Sequence, residues 1–269
     1  MTKRRSVALF KEPSNIERQQ KRLSKQQKKL DQDIENLAKT APKPRTINYS
    51  AIKRISPLTD TQKAVFDAFD DADNMAFVLY GSAGTGKSFL AIHHALCQVL
   101  DADTEYDKIV IIRSTTQCRE QGFVKGDNAE KVAPFESPYI AICQELLGRK
   151  DAYEKLKDLG KLEFESTAFL RGISFHRAII VVDEMQNMNW SELSTIAGRV
   201  GEHSKIIFCG DGRQDDLNKS AHDVSGFRDF LHVSSKMSEF RSFRFTCDDI
   251  VRSSFVKSFI MTCEKLGMM

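Results

Sequence analysis

Short apolar runs alternate with amphipathic stretches from about Leu58 onward, and turns of polar residues or glycine separate them. Runs of this kind read as strands buried on both faces, and the stretches between them as helices. Strands are predicted over Met75 to Tyr80, Lys108 to Ile112, Ala178 to Val182 and Lys205 to Cys209. Helices are predicted over Gln62 to Phe69 (with Thr59 or Asp60 as cap), Lys87 to Leu100, Pro138 to Leu147 and Ser191 to Val200. Strand and helix taking turns predict an α/β fold, a mostly parallel sheet with helices on both faces. Such sheets place ligands at the edge formed by the C-terminal strand ends.

The pattern before Leu58 differs. From Asn15 to Lys39 the chain is polar, rich in Lys and Gln and free of Gly and Pro, which favours a helix but supplies no core. Ile16, Leu23, Leu30 and Leu37 recur every seven residues, with Ile34 a further apolar position, while Gln20 and Gln27 leave the other half of the seam polar. Three readings stay open for this arm: a solvated and partly disordered basic segment, a coiled-coil strand, or a nucleic-acid contact. Pro42, Pro44 and the polar stretch to Ser56 read as a linker. The expected organisation is a basic helical or disordered arm over 1–45, a linker over 46–57 and one domain over 58–269, since two full domains would be a tight fit in 269 residues.

Charge sharpens that division. The net +3 conceals 13 Lys or Arg against 5 Asp or Glu in residues 1–45, a local +8, and −5 over the remainder. No apolar run approaches membrane-spanning length, and the Lys3-Arg4-Arg5 opening lacks the apolar stretch of a signal peptide, so a cytoplasmic protein is expected. Cys97, Cys118, Cys143, Cys209, Cys247 and Cys263 are scattered, without zinc-type pairs or a disulfide framework, and are expected to be reduced and mostly buried.

The chemistry concentrates at two strand ends. Gly81-Ser82-Ala83-Gly84-Thr85-Gly86-Lys87-Ser88 satisfies the P-loop pattern directly after one predicted strand and directly before a helix. Glycines there let backbone amides close around a phosphate at a helix N-terminus, Lys87 reaches the β- and γ-phosphates of ATP, and the Ser88 hydroxyl suits magnesium. Asp183 and Glu184 end the strand over Ala178 to Val182, expected to neighbour the P-loop strand. Asp183 is read as the second magnesium ligand and Glu184 as the residue that polarises the attacking water, a role needed for hydrolysis and not for binding alone. Gln186 and Gln214 follow two of the strands and read either as γ-phosphate sensors or as polar loop residues. Gln62 reads either as an amide that pairs with adenine or as a helix-surface residue.

These blocks, in this order, resemble the PhoH-like ATPase family, which is similar to the N-terminal motor domain of superfamily 1 helicases. The resemblance runs from about Leu58 to Phe259. It includes the P-loop, Gly122-Phe123-Val124-Lys125-Gly126-Asp127, Arg171-Gly172, Asp183-Glu184-Met185-Gln186-Asn187, Gly210-Asp211 with Gln214, and Asp249-Ile250-Val251-Arg252. Ser82 stands where that family often has proline and Met185 where alanine is usual, and the arm lies outside the match.

The resemblance implies a RecA-like P-loop NTPase that hydrolyses ATP with Mg2+ and acts on RNA or single-stranded nucleic acid. It also implies self-association, as a homohexameric ring in which an arginine completes the neighbour's site. Arg252 is the first candidate for that arginine, with Arg113 and Arg171 behind it. Phe123 and Lys125 read either as a base-stacking and phosphate-pairing loop or as a ring interface. Two other classes stay open: an ATP-dependent interaction protein without nucleic acid, and a P-loop small-molecule kinase.

Overall fold

In a computed structural model of the chain, residues 28–29, 47–114, 128–170, 172, 174–211 and 225–267 are described. The chain divides into two units, Met1–Arg45 and Thr46–Met269. Of the first unit only Lys28 and Lys29 fall among the described residues, and both are helical and exposed. The heptad positions of the arm, the segment with Phe123 and Lys125, Arg171 and Gln214 lie outside them.

Among the described residues the second unit holds six strands: β1 (Ala76–Gly81), β2 (Lys108–Arg113), β3 (Leu162–Ser166), β4 (Ala178–Asp183), β5 (Lys205–Gly210) and β6 (Phe240–Phe245). They form one sheet in the order β3-β2-β4-β5-β1-β6, parallel at every neighbouring pair. Helices α1 (Asp60–Phe69), α2 (Lys87–Val99), α3 (Asn128–Leu147), α4 (Ala152–Asp158), α5 (Trp190–Ala197), α6 (Phe227–Ser234) and α7 (Ser254–Lys265) complete it.

Side chains of a strand point to alternate faces, and a sheet covered on both sides therefore needs apolar residues at every position. Phe77, Leu79, Ile109, Ile111, Ile179, Val181 and Ile207 enter one core with Val65 and Phe69 of α1, Ala91 and Ala95 of α2 and Tyr139 and Cys143 of α3. Their neighbours Val78, Val110, Ile112, Ile180, Val182 and Phe208 enter the other, with Leu193 and Ile196 of α5 and Phe227 and Phe230 of α6. Among the described cysteines Cys143 and Cys209 are buried, Cys97, Cys247 and Cys263 are partly exposed, and all are free thiols.

Two sequence expectations need correction. The strand that carries the acidic pair does not neighbour the P-loop strand, because β5 lies between β4 and β1. All three run parallel, so their C-terminal ends still meet at one edge. The helix expected from Pro138 begins ten residues earlier, at Asn128, and contains Pro134 and Pro138. Each proline removes one backbone hydrogen bond. Burial of Phe135, Tyr139, Cys143, Leu146 and Leu147 along one face offsets that loss.

Candidate active site

The P-loop begins where β1 reaches the sheet edge. Gly81 holds φ +125°, and a Cβ there would lie 1.9 Å from the Phe245 carbonyl oxygen of β6, so the chain turns under an adjacent strand in a space only glycine fits. Gly86 caps α2 in the left-handed conformation, φ 86°. Among the described residues the backbone amides of Ala83, Gly84, Thr85 and Gly86 donate to no backbone carbonyl. A run of amides that no backbone carbonyl takes up, at a helix N-terminus, is an anion cradle.

Lys87 is buried and its Nζ donates to the carbonyls of Gly81 (3.1 Å) and Ser82 (2.8 Å), both within its own loop. Burial pulls its ammonium below the ordinary lysine value, opposed by the carboxylates of Asp211, Asp183 and Glu184. Ser88, on the first turn of α2, donates its hydroxyl to Asp183 Oδ1 at 2.7 Å. The hydroxyl of Tyr139 on α3 donates to the other carboxylate oxygen, Oδ2, at 2.8 Å.

Glu184 follows β4 with φ 55°, a left-handed conformation rare outside glycine and found where function holds the backbone in place. One carboxylate oxygen lies 3.8 Å from the Arg113 guanidinium and the other accepts from the Gln186 amide. Burial, then the Asp183 charge, raises the Glu184 carboxyl above the ordinary range, and Arg113, Gln186 and Lys87 oppose the rise. Arg113 ends β2 in register with Asp183, which explains why a residue 70 positions earlier reaches this pair.

The remaining site candidates fall into place around this centre. Gln186 is almost wholly buried, accepts from the Asp211 amide at 2.9 Å and donates to Glu184, which makes it a link between the ends of β4 and β5. Gln62 is also buried: its oxygen accepts from the Leu58 amide at 2.8 Å and its nitrogen donates to the Thr85 carbonyl at 3.1 Å. Both ends of that amide hold the P-loop against α1, and pairing with adenine would require giving up both bonds. Arg252 is exposed, and its Cγ would lie 3.1 Å from a Cβ on Gly84 of the same chain. Arg252 and Arg113 both line the cavity beside the P-loop. Asp249, the nearby acid, binds the Thr246 amide and hydroxyl in a cap.

Two cavities open at this edge. One of about 520 Å³ is lined by Gly86, Lys87, Arg113, Asp183, Glu184 and Arg252, and suits a polyphosphate. A second of about 440 Å³ shares Gly84, Gly86 and Arg252 with it and continues to Ile55, Leu58 and Val251, an apolar wall suited to a base. Magnesium fits the donor set: Ser88 and Asp183 offer two hard oxygens, the few protein ligands this ion takes when phosphates and water supply the rest. Among the described residues no group of three or more His, Cys, Asp or Glu could hold a metal by itself. Sequence reasoning missed Tyr139, which has no motif spacing and is identified only by where α3 crosses the sheet.

A parallel sheet with the acidic strand one place removed from the P-loop strand, and a lysine and serine opening the next helix, define the RecA-like class of P-loop NTPases. The chain belongs to the PhoH family: residues 54–264 match the family described as PhoH-like protein. It is 30% identical to the PhoH-like protein of Mycobacterium bovis over 77% of this chain and 57% of that one. To the protein PhoH of Escherichia coli it is 32% identical over 65% and 49%. The chain thus spans about half the length of these curated relatives. Among solved structures, the large terminase of a thermophilic bacteriophage matches with a TM-score of 0.46 at 14% identity, over 76% of this chain and 50% of that one. Among the described residues no helix is long and apolar enough to cross a membrane.

Proposed function

We propose that the chain is a magnesium-dependent ATP hydrolase that couples turnover to binding, translocation or remodelling of RNA or single-stranded nucleic acid. The observation that carries the hydrolase reading is the meeting of the Ala83 to Gly86 amides, Lys87, the Ser88–Asp183 pair and Glu184 around one cavity. The amides of Ala83 to Gly86 receive the β-phosphate, and Lys87 leaves its loop carbonyls for the β- and γ-phosphate oxygens. Ser88 and Asp183 hold Mg2+, which when bound neutralises charge on the phosphates. Glu184 accepts the proton of the attacking water, with Arg113 and Gln186 fixing its carboxylate. Gln186 acts through Glu184, Gln62 acts by bracing Thr85, and Gln214 is assigned the γ-phosphate side. Arg252 is the first candidate to complete the site of the neighbouring protomer in the ring.

Support for the nucleic-acid part comes from family membership, the basic arm over 1–45 and the Phe123-Lys125 segment. The homohexameric ring is part of the same proposal, with sedimentation in the presence of ATP as its measurement. ATP turnover of the wild type and of Glu184→Gln, with and without single-stranded RNA and DNA, tests the whole. Polynucleotide stimulation of a turnover that Glu184→Gln abolishes is the expected result. An exposed apolar stripe on α7, with Phe255 77% and Phe259 57% exposed, favours a second reading: an ATP-dependent interaction protein. Hydrolysis indifferent to every polynucleotide would select that reading.

A further inference from the structure

The Asp183 carboxylate is held from two sides by neutral hydroxyls. Ser88 occupies Oδ1 from α2 at 2.7 Å and Tyr139 occupies Oδ2 from α3 at 2.8 Å, with Asp183 only 5% exposed and Tyr139 fully buried. Rotation of the carboxylate about its last bond would break both contacts at once. The ring of Tyr139 packs in the core beside Phe164, with centroids 5.8 Å apart, and a phenylalanine would fill that space equally well. Packing therefore accounts for the ring and leaves the hydroxyl unexplained.

The helix that carries this hydroxyl is itself anchored. One turn before Tyr139, Glu136 accepts from the Tyr153 hydroxyl and from Lys157 of α4, both at 2.9 Å. Pro138 and Tyr139 line the phosphate cavity, so the α3 segment that sets the carboxylate also forms its wall.

From this arrangement we infer that Tyr139 is a positioning residue: it fixes the Asp183 carboxylate in the one orientation that presents Oδ1, beside Ser88, to the magnesium of a bound nucleotide. The inference rests on the hydrolase reading above and deepens it. Tyr139 acts through Asp183, as partners of metal-ligating carboxylates do.

The test uses the full chain and a fluorescent ATP analogue, titrated with MgCl2 and again in EDTA. Tyr139→Phe is expected to raise the magnesium concentration for half-maximal binding by about 10-fold or more, the usual effect of removing such a partner. Binding in EDTA is expected to stay at the wild-type level. In an Asp183→Ala background Tyr139→Phe is expected to change nothing further. That pair also serves if the single variant does not fold, since no carboxylate is then left without its donor.

Equal loss of affinity with and without magnesium would overturn the inference, as would a further loss in the Asp183→Ala background or an unchanged magnesium dependence in Tyr139→Phe. Failure of the hydrolase reading looks different. There, wild-type nucleotide binding would itself ignore both MgCl2 and Lys87→Ala, and the inference would fall with it.

Discussion

Gly210 ends β5 against the segment that carries the acidic pair, and Gly210→Ala tests how tightly that segment is held. A Cβ at Gly210 would lie 2.4 Å from Met185 Cγ, 3.2 Å from its sulfur and 3.2 Å from Gln186 Oε1. Apolar carbons prefer about 3.5–4.0 Å, so Met185 must retreat by about 1 Å or more. Met185 is fully buried in the core beneath α5 and α6 and has nowhere open to go. Overpacking of this kind costs about 1–3 kcal/mol. For a domain of this size that corresponds to a fall in Tm of roughly 2–12 °C.

The displacement continues along the chain. Gln186 accepts from the Asp211 amide and donates to Glu184, so moving it loosens the carboxylate that receives the water's proton. Gln186 shifts by only a few tenths of an ångström, so turnover is expected to fall by less than the roughly 100-fold that a full 1 Å misplacement costs. Thermal unfolding and ATP turnover of Gly210→Ala measure the two effects. Gly198→Ala, where the new Cβ would sit at an ordinary 3.4 Å from the Ser194 carbonyl oxygen, is the control and is expected to match the wild type. A Gly210→Ala protein that melts within a degree of the wild type and keeps full turnover would refute the argument.

Other outcomes follow from the same geometry. Gln62→Ala should lower the use of ATP and GTP by a similar factor, because the lost bonds brace Thr85; a changed ATP-to-GTP ratio in steady-state kinetics would restore the adenine-reading role. His94 is buried against Phe69, which holds its imidazole neutral and lowers its pKa to about 3, so the unfolded chain protonates first as pH falls below the unfolded value. Stability from this group is complete at neutral pH and should fall by about 2 kcal/mol between pH 7.5 and 5. Denaturant titrations of the wild type and His94→Gln should show a shallower pH slope in the variant. Deleting residues 1–45 should reduce the salt dependence of any RNA binding, and an unchanged slope would exclude the arm as an electrostatic contact.

Motif and period carried much of this protein in the sequence itself. Four strands buried on both faces had to be continuous apolar runs, and they were found where β1, β2, β4 and β5 lie. Edge strands escaped for the opposite reason. β3 (Leu-Glu-Phe-Glu-Ser) and β6 (Phe-Arg-Ser-Phe-Arg-Phe) mix charge with apolar residues because, among the described residues, one side of each meets no further strand. α3 was shortened by a local rule about proline that burial along the whole helix overrides.

The sequence alone determined the parts that a short stretch of chain can specify: a glycine-bearing loop between strand and helix, a lysine and serine at the start of that helix, and two acids closing an apolar strand. Their chemistry is local, set by residue type and by spacings of a few positions. Only the tertiary structure decided the partners. It put β5 between the two functional strands, brought Arg113 to Glu184 and Tyr139 to Asp183, and set Gln62 against Thr85 of the P-loop. Contacts of that kind join residues from distant elements through packing geometry, and spacing along the chain carries no record of them.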